Sequence, residues 1–166
     1  MCGYRWCSKM DFFAHGAWSY IFFHKIKKPW LAVLFGLLPD LISWSPLFVY
    51  MFFTRNFLFS GQGPPVLPEW TNILYGIGHS LLLPILVIGI LYLVYKKWFI
   101  YMFAWPIAIV MDLLTHSRDF LPTPFLWPIS EWRFPGIRWG TREFMIINWS
   151  LILISISYIY YKSRKL

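Results

Sequence analysis

Charged residues are scarce in this chain, and their scarcity argues against a soluble domain. Asp, Glu, Lys and Arg together make up 13% of the 166 residues, whereas soluble domains carry about 25%. Hydrophobic residues make up 58%, and the mean hydropathy is +0.55. The chain is therefore expected to be an integral membrane protein with a single domain, residues 1–166.

Cysteine is also scarce, and the two cysteines present argue against two common kinds of site. Cys2 and Cys7 stand five residues apart, a spacing that fits neither a zinc-binding cysteine motif nor a disulfide framework. A clear signal peptide is not expected either, because the first apolar run is short and contains Asp11 and His15.

Apolar segments are what the sequence has in abundance, and they predict an all-α, polytopic membrane bundle. Four of them approach the length of about 20 residues that a transmembrane helix needs. They are residues 30–53, 71–95, 98–116 and 143–161. Residues 11–24 are expected to form a shorter N-terminal membrane helix, which crosses, re-enters or lies along the bilayer. Loops are predicted at residues 54–70 and 117–142.

Positive charge is grouped beside the apolar segments, and the net charge is +8. Such groups are typical of the positive-inside rule and of contact with lipid headgroups, so membrane lipids are expected partners and specific nucleic-acid binding is not. Cytoplasmic placement of these groups puts both long loops outside, although the arginines of the second loop count against it. The groups lie at residues 25–28, 96–97 and 162–165.

Ionisable residues inside the apolar segments fall at a common depth. If the segments alternate in direction, a helical rise of about 1.5 Å per residue places them all in the half of the bilayer nearer the long loops. They are Asp11, His15, Asp40, His79, Asp112 and His116. An Asp inside a span costs about 2.5–3.5 kcal/mol and usually pairs inward, so these side chains are expected to meet.

The residue types in this layer predict a metal site. Three or more His and Asp side chains suit a divalent first-row metal, and zinc is the best match. The predicted ligands are His15, Asp40, His79, Asp112 and His116. Each also has a plainer interpretation, such as a hydrogen bond between helices for Asp40 or helix packing for His79.

Further roles are predicted around the metal. Asp11 or Asp40 is a candidate catalytic base, because a carboxylate that is not needed as a ligand can accept a proton. In the second long loop, Arg118 and Arg133 are candidates for binding a phosphate or carboxylate. Ser130 of the same loop is added as a substrate-binding candidate. The plainer interpretation of both arginines is solvated charge or headgroup contact.

Five short motifs, in this order, resemble the membrane-bound metal-dependent hydrolases, a family of bacterial inner-membrane proteins also labelled LexA-binding. The motifs are Asp11-Phe12-Phe13-x-His15, Leu38-Pro39-Asp40, Gly78-His79-Ser80, Asp112-x-x-Thr115-His116-Ser117 and residues 122–130, PTPFLWPIS. The resemblance implies a helical protein of the bacterial inner (plasma) membrane with a His/Asp metal site. Relatives carry His-Arg and a further His where this chain has Leu74-Tyr75 and Ala108, which implies a smaller ligand set.

Two hypotheses follow for function. The first is metal-dependent hydrolysis of a phosphoester or related ester, because a site near the membrane surface suits a substrate with an apolar tail and a polar head. The second is a protein without catalysis, in which the same buried layer forms a proton or ion relay or joins helices in a scaffold. The sequence leaves the substrate and the oligomeric state open.

Overall fold

The regular secondary structure in the described part of the chain is all helical. A computed structural model describes residues 4–54, 67–118 and 122–165, except for the side chains of residues 4–11. No strand occurs within these ranges. The helices are α1 (Tyr4–Phe23), α2 (Pro29–Thr54), α3 (Glu69–His79), α4 (Leu82–Tyr95), α5 (Ala104–Thr115) and α6 (Arg142–Ser163), with a 3-10 helix at Ile100–Phe103 ahead of α5.

Two of the described helices, α2 and α6, are each long and apolar enough to cross a membrane. The predicted span 71–95 is instead a bent pair, α3 and α4, which meet at 49° and make a third span if they are counted together. The predicted span 98–116 is a shorter apolar stretch, Ile100–Thr115. An all-α chain with apolar helices able to cross a membrane is therefore confirmed, but the prediction of four long transmembrane helices is wrong.

The bend between α3 and α4 has partners that hold it. The Ser80 hydroxyl donates to the carbonyl of Trp127 at 2.6 Å and accepts from the amide of Leu82 at 3.2 Å. The amide of Leu81 donates to the carbonyl of Phe125 at 2.9 Å. Backbone that leaves a helix at membrane depth needs such protein partners. The second long loop supplies them, so the bend is part of the fold.

Helix α2 is the centre of the bundle, in contact with α1, α3 and α5. Glycines allow two of these contacts to be close. A Cβ at Gly78 of α3 would lie 2.6 Å from the carbonyl oxygen of Pro39, and a Cβ at Gly36 would overlap Ser19 of α1. Helix α1, which begins at Tyr4 rather than near residue 11, packs on α2 and also on α6.

The second long loop also covers the end of α5. The carbonyls of Leu114 and Thr115, which have no partner inside the helix, accept the amides of Ile137 at 2.8 Å and Trp139 at 2.9 Å. Gly136 makes this approach possible, because a Cβ there would lie 2.6 Å from the carbonyl oxygens of Leu113 and His116. The loop is thus fixed at both the α3–α4 bend and the α5 end.

Candidate functional site

A buried carboxylate, Asp112 of α5, is surrounded by three histidines. Its side chain is 1% exposed. Its Oδ1 lies 2.8 Å from Nε2 of His15 in α1 and 3.5 Å from Nδ1 of His116, and its Oδ2 lies 3.5 Å from Nε2 of His79 in α3. Helices α1, α3 and α5 therefore meet through polar side chains in an otherwise apolar interior.

A second carboxylate reaches the same group from α2. Asp40 Oδ1 lies 3.6 Å from Nε2 of His79, so His79 faces both carboxylates. Asp40 is 14% exposed, more than the other members. We call His15, Asp40, His79, Asp112 and His116 the polar cluster.

Ser43 fixes the direction of the His79 ring. Its hydroxyl oxygen lies 2.8 Å from the carbonyl of Pro39, to which it donates, and 3.3 Å from Nδ1 of His79. A hydroxyl has one hydrogen, so it accepts from Nδ1–H of His79. The Nε2 atom of a neutral His79 then directs a lone pair at Asp40 and Asp112. That arrangement is repulsive unless a proton or a metal cation lies between them.

His116 is placed by the end of its own helix. It follows the last residue of α5 with an extended backbone, its amide donates to the carbonyl of Asp112 at 2.8 Å, and its Nδ1 lies 2.9 Å from the same oxygen. The i, i+4 spacing with Asp112 brings both side chains to one side of α5. The indole of Trp139, from the second long loop, lies edge-on to the His116 ring at 6.2 Å.

The charge of Asp112 needs compensation. Within the described residues, neither of its carboxylate oxygens makes an aligned hydrogen bond, even though His15 Nε2 is only 2.8 Å away. Burial of an ionised carboxylate without such bonds costs several kcal/mol. A protonated imidazole or a bound cation would offset that cost, and three imidazoles stand close enough to help.

The donor set suits a metal, but its arrangement is not preassembled. Among the described side chains, no group of three or more His, Cys, Asp or Glu is positioned to hold a metal ion. Zinc bonds of about 2.1 Å in a tetrahedron separate the ligand atoms by about 3.4 Å. His79 Nε2 lies at close to that distance from Asp40 and Asp112. The short His15–Asp112 contact does not have this spacing, so joint ligation requires Asp112 to turn away from His15.

A cleft of about 350 Å³ lies beside the polar cluster, between α3 and the second long loop. The Tyr75 ring separates the two, since it lines the cleft and stacks on the His79 ring with centroids 4.1 Å apart. Trp127 packs so closely on Gly76 that a Cβ there would lie 2.8 Å from the indole. The cleft also contains Asn72, Glu131 and Arg133.

The structure gathers the five predicted ligands but separates the predicted substrate-binding residues. Arg133 lines the cleft, whereas Arg118 is exposed and donates through Nε to the Arg133 carbonyl at 3.1 Å. Ser130 does not line the cleft, and its hydroxyl accepts the amide of Trp132 at 3.1 Å. The Asp11 side chain lies outside the described part of the chain.

Sequence reasoning missed Ser43, Tyr75 and Glu131. Helical periodicity carries a signal for two of them. Ser43 follows Asp40 by three residues, and Tyr75 precedes His79 by four, so each shares a helix face with a cluster residue. Glu131 lies in irregular structure, where spacing gives no indication of direction.

No family model matches this chain, and comparisons with curated proteins and with solved structures find no similar chain. Function must therefore be argued from the polar cluster and the cleft.

Proposed function

We propose that this protein is a membrane-embedded, metal-dependent hydrolase that cleaves a phosphoester or related ester, with a lipid-linked substrate. The observation that carries the proposal is Asp112, a buried carboxylate with unmet hydrogen-bonding capacity next to three histidines and near Asp40. A purely structural pair of residues does not require so many ionisable groups in an apolar bundle. The motif resemblance supports the same function and a bacterial inner-membrane location.

Asp40, His79 and Asp112 are the residues proposed to hold the metal, with zinc the best match to imidazole and carboxylate ligands. Ser43 orients His79 for this task, because it accepts the Nδ1 proton and leaves Nε2 directed at both carboxylates. A divalent metal held there would activate a water and polarise a phosphoryl or carbonyl oxygen. His15 and His116, which lie beside Asp112, would be available as further ligands.

Other side chains would bind the substrate and move protons. Asp40 is the most exposed member of the polar cluster, so if the other members hold the metal without it, Asp40 is the carboxylate best placed to accept a proton from an incoming water. Asp11 remains a second candidate for that role. Arg133 would hold the phosphate in the cleft. Tyr75 stands between the cleft and His79, so its ring would have to turn aside before a phosphate in the cleft could reach the polar cluster.

Metal analysis of the purified protein in detergent tests the proposal. We expect a stoichiometric divalent metal in the unaltered protein, loss of most of it in Asp112→Asn, and loss of phosphoester turnover in the same variant. His24→Ala is the matched control, because the His24 ring lies outside the polar cluster and contacts only the carbonyl of Ile21 in the described contacts. Absence of zinc, manganese and iron from the unaltered protein would rule out the hydrolase.

One observation favours a second candidate, a proton or ion relay. The 2.8 Å contact between His15 and Asp112 joins two titratable groups directly, as expected of neighbouring stations in a proton pathway. Flux measured in liposomes separates the candidates. If the protein is a relay, His79→Ala would abolish ion flux. If it is a hydrolase, the unaltered protein would carry no ion flux, and His79→Ala would abolish ester turnover.

A further inference from the structure

We propose that the cleft beside Tyr75 binds the zwitterionic headgroup of a membrane lipid, in which a phosphate stands next to an ammonium group. This inference names the substrate class of the proposed hydrolase and so rests on that function. The cleft brings together one cation, Arg133, and one carboxylate, Glu131, between aromatic walls. That combination matches a headgroup that carries both charges.

Arg133 is the proposed phosphate-binding group. Its Nη1 is buried and has no hydrogen-bond partner among the described residues, a state that is unfavourable for a charged group. Its backbone is held by Arg118, which donates to the Arg133 carbonyl at 3.1 Å. A phosphate oxygen in the cleft would satisfy the buried donor with a charge-assisted hydrogen bond.

Glu131 makes the cleft unsuitable for a purely anionic ligand. Glu131 lines the same cavity, and the described salt bridges do not join it to Arg133. An anionic headgroup would gain from Arg133 and be repelled by Glu131. A primary or quaternary ammonium next to the phosphate would instead be attracted by Glu131 and by the faces of Tyr75 and Trp127.

Size and surroundings favour a lipid over a free metabolite. A volume of about 350 Å³ is at the lower end for ligand pockets and suits a headgroup without its acyl chains. Large apolar side chains of the same loop are exposed nearby in the chain, namely Ile129, Trp132 and Ile137. Exposed Trp and Ile are typical of a loop at headgroup level in a membrane. The acyl chains would remain in the bilayer.

Calorimetric titration of the protein in detergent with dihexanoyl phosphatidylethanolamine and dihexanoyl phosphatidylglycerol tests this. We expect the zwitterionic lipid to bind about tenfold tighter, the factor that corresponds to one charge-assisted contact. Glu131→Gln should remove that preference, because it should strengthen the binding of the anionic lipid and weaken the binding of the zwitterionic one. Arg133→Gln should weaken the binding of both lipids. The charge-matched controls Glu143→Gln and Arg142→Gln, at the exposed start of α6, should change neither affinity.

Two further measurements separate the possible failures. Asp112→Asn alters the polar cluster but not the cleft, so it should keep the lipid preference even if metal and turnover are lost. If the unaltered protein prefers the zwitterionic lipid but never binds metal, the hydrolase proposal is refuted and the headgroup site is supported. Equal affinity for the two lipids, or a preference unaffected by Glu131→Gln, would overturn the headgroup site. Soluble phosphoethanolamine binding as tightly as the lipid would overturn the assignment to a membrane lipid.

Discussion

Helices α2 and α6 are equally apolar along their most apolar stretches, yet they are used in opposite ways. That stretch is 28% buried inside the protein in α2 and only 6% in α6. Helix α2 carries Asp40 and Ser43 into the polar cluster, whereas α6 exposes large apolar residues such as Ile147 and Ile154. Hydropathy thus indicates which helices can cross a membrane, but not which of them build the site.

The difference lies in where the small and polar residues fall. On α2, Gly36, Pro39 and Ser43 are buried at intervals of three and four residues and form one face. On α6, the side chain of Asn148 accepts a hydrogen bond from the indole of Trp18 at 2.9 Å, and most of the remaining surface is free of protein contacts. A helix with one polar, small-residue face packs centrally, and one that is apolar all round is solvated by lipid.

The largest expected effect comes from Asp112→Ala. Three imidazoles would then surround a site without its anion, and the free energy of unfolding in detergent should fall by about 3–5 kcal/mol. Ile154→Ala on the exposed surface of α6 should change it by less than about 0.5 kcal/mol. Unfolding in mixed micelles measures both. Equal effects would mean that the polar cluster does not stabilise the bundle.

A charge moved to α6 should disturb membrane insertion. Ile154→Asp places a carboxylate near the middle of a helix that offers it no partner, at a cost of about 2.5–3.5 kcal/mol. Asp40 meets His79 at the corresponding place in α2. The inserted fraction of α6, measured by glycosylation of a C-terminal acceptor site, should fall for Ile154→Asp and stay unchanged for Ile154→Leu. Unimpaired insertion of the Asp variant would show that α6 does not face lipid.

Glycine substitutions compare close and open packing. Gly78→Ala brings a Cβ within 2.6 Å of the Pro39 carbonyl oxygen and 2.9 Å of the Ser43 hydroxyl, and overpacking of this kind costs about 1–3 kcal/mol. A Cβ at Gly89 of α4 meets nothing within 4 Å. Gly89→Ala should therefore leave stability unchanged or raise it by up to about 1 kcal/mol. The same unfolding assay applies, and a harmless Gly78→Ala would argue against the α2–α3 contact.

Ser43→Ala should lower stability by only about 1 kcal/mol, because it removes one hydroxyl between α2 and α3. Its effect on metal binding should be larger, about 10–100-fold in affinity, since the orientation of His79 is lost. Competition with a fluorescent chelator measures that change. Ser43→Thr, which keeps the hydroxyl, is the control and should retain most of the affinity. Identical affinities in all three proteins would leave Ser43 without a role at the site.

The meeting of Asp40, His79 and Asp112 could be expected because helical rise sets how far along its segment each residue lies. Their pairwise partners could not. Position along a helix does not specify rotation about its axis, so the sequence could not show that His15 would touch Asp112 while His79 would face both carboxylates. Rotation is set by packing, here by the close contact of Gly78 with Pro39.

The α3–α4 bend was missed because most of the groups that hold it are distant in the sequence. Ser80 and Leu81 lie in an apolar run long enough for one continuous span, and the one local signal is Pro84, which lacks the amide that would pair with the Ser80 carbonyl. The groups that hold the bend are the carbonyls of Phe125 and Trp127. Helix propensity depends only on residues that are close in the sequence. It therefore cannot predict a helix end that is held by a loop more than forty residues later.

The same hydrogen bonds impose an order on the making of this protein. Ser80 and Leu81 precede Phe125 and Trp127 by more than forty residues, so during synthesis the Ser80 hydroxyl and the Leu81 amide have to wait for these acceptors. Inside a bilayer such groups need other partners until then. The bend is therefore held in its final form only after the later loop has been made. Formation of the bend and closure of the cleft beside Tyr75 are in this sense a single late step of assembly.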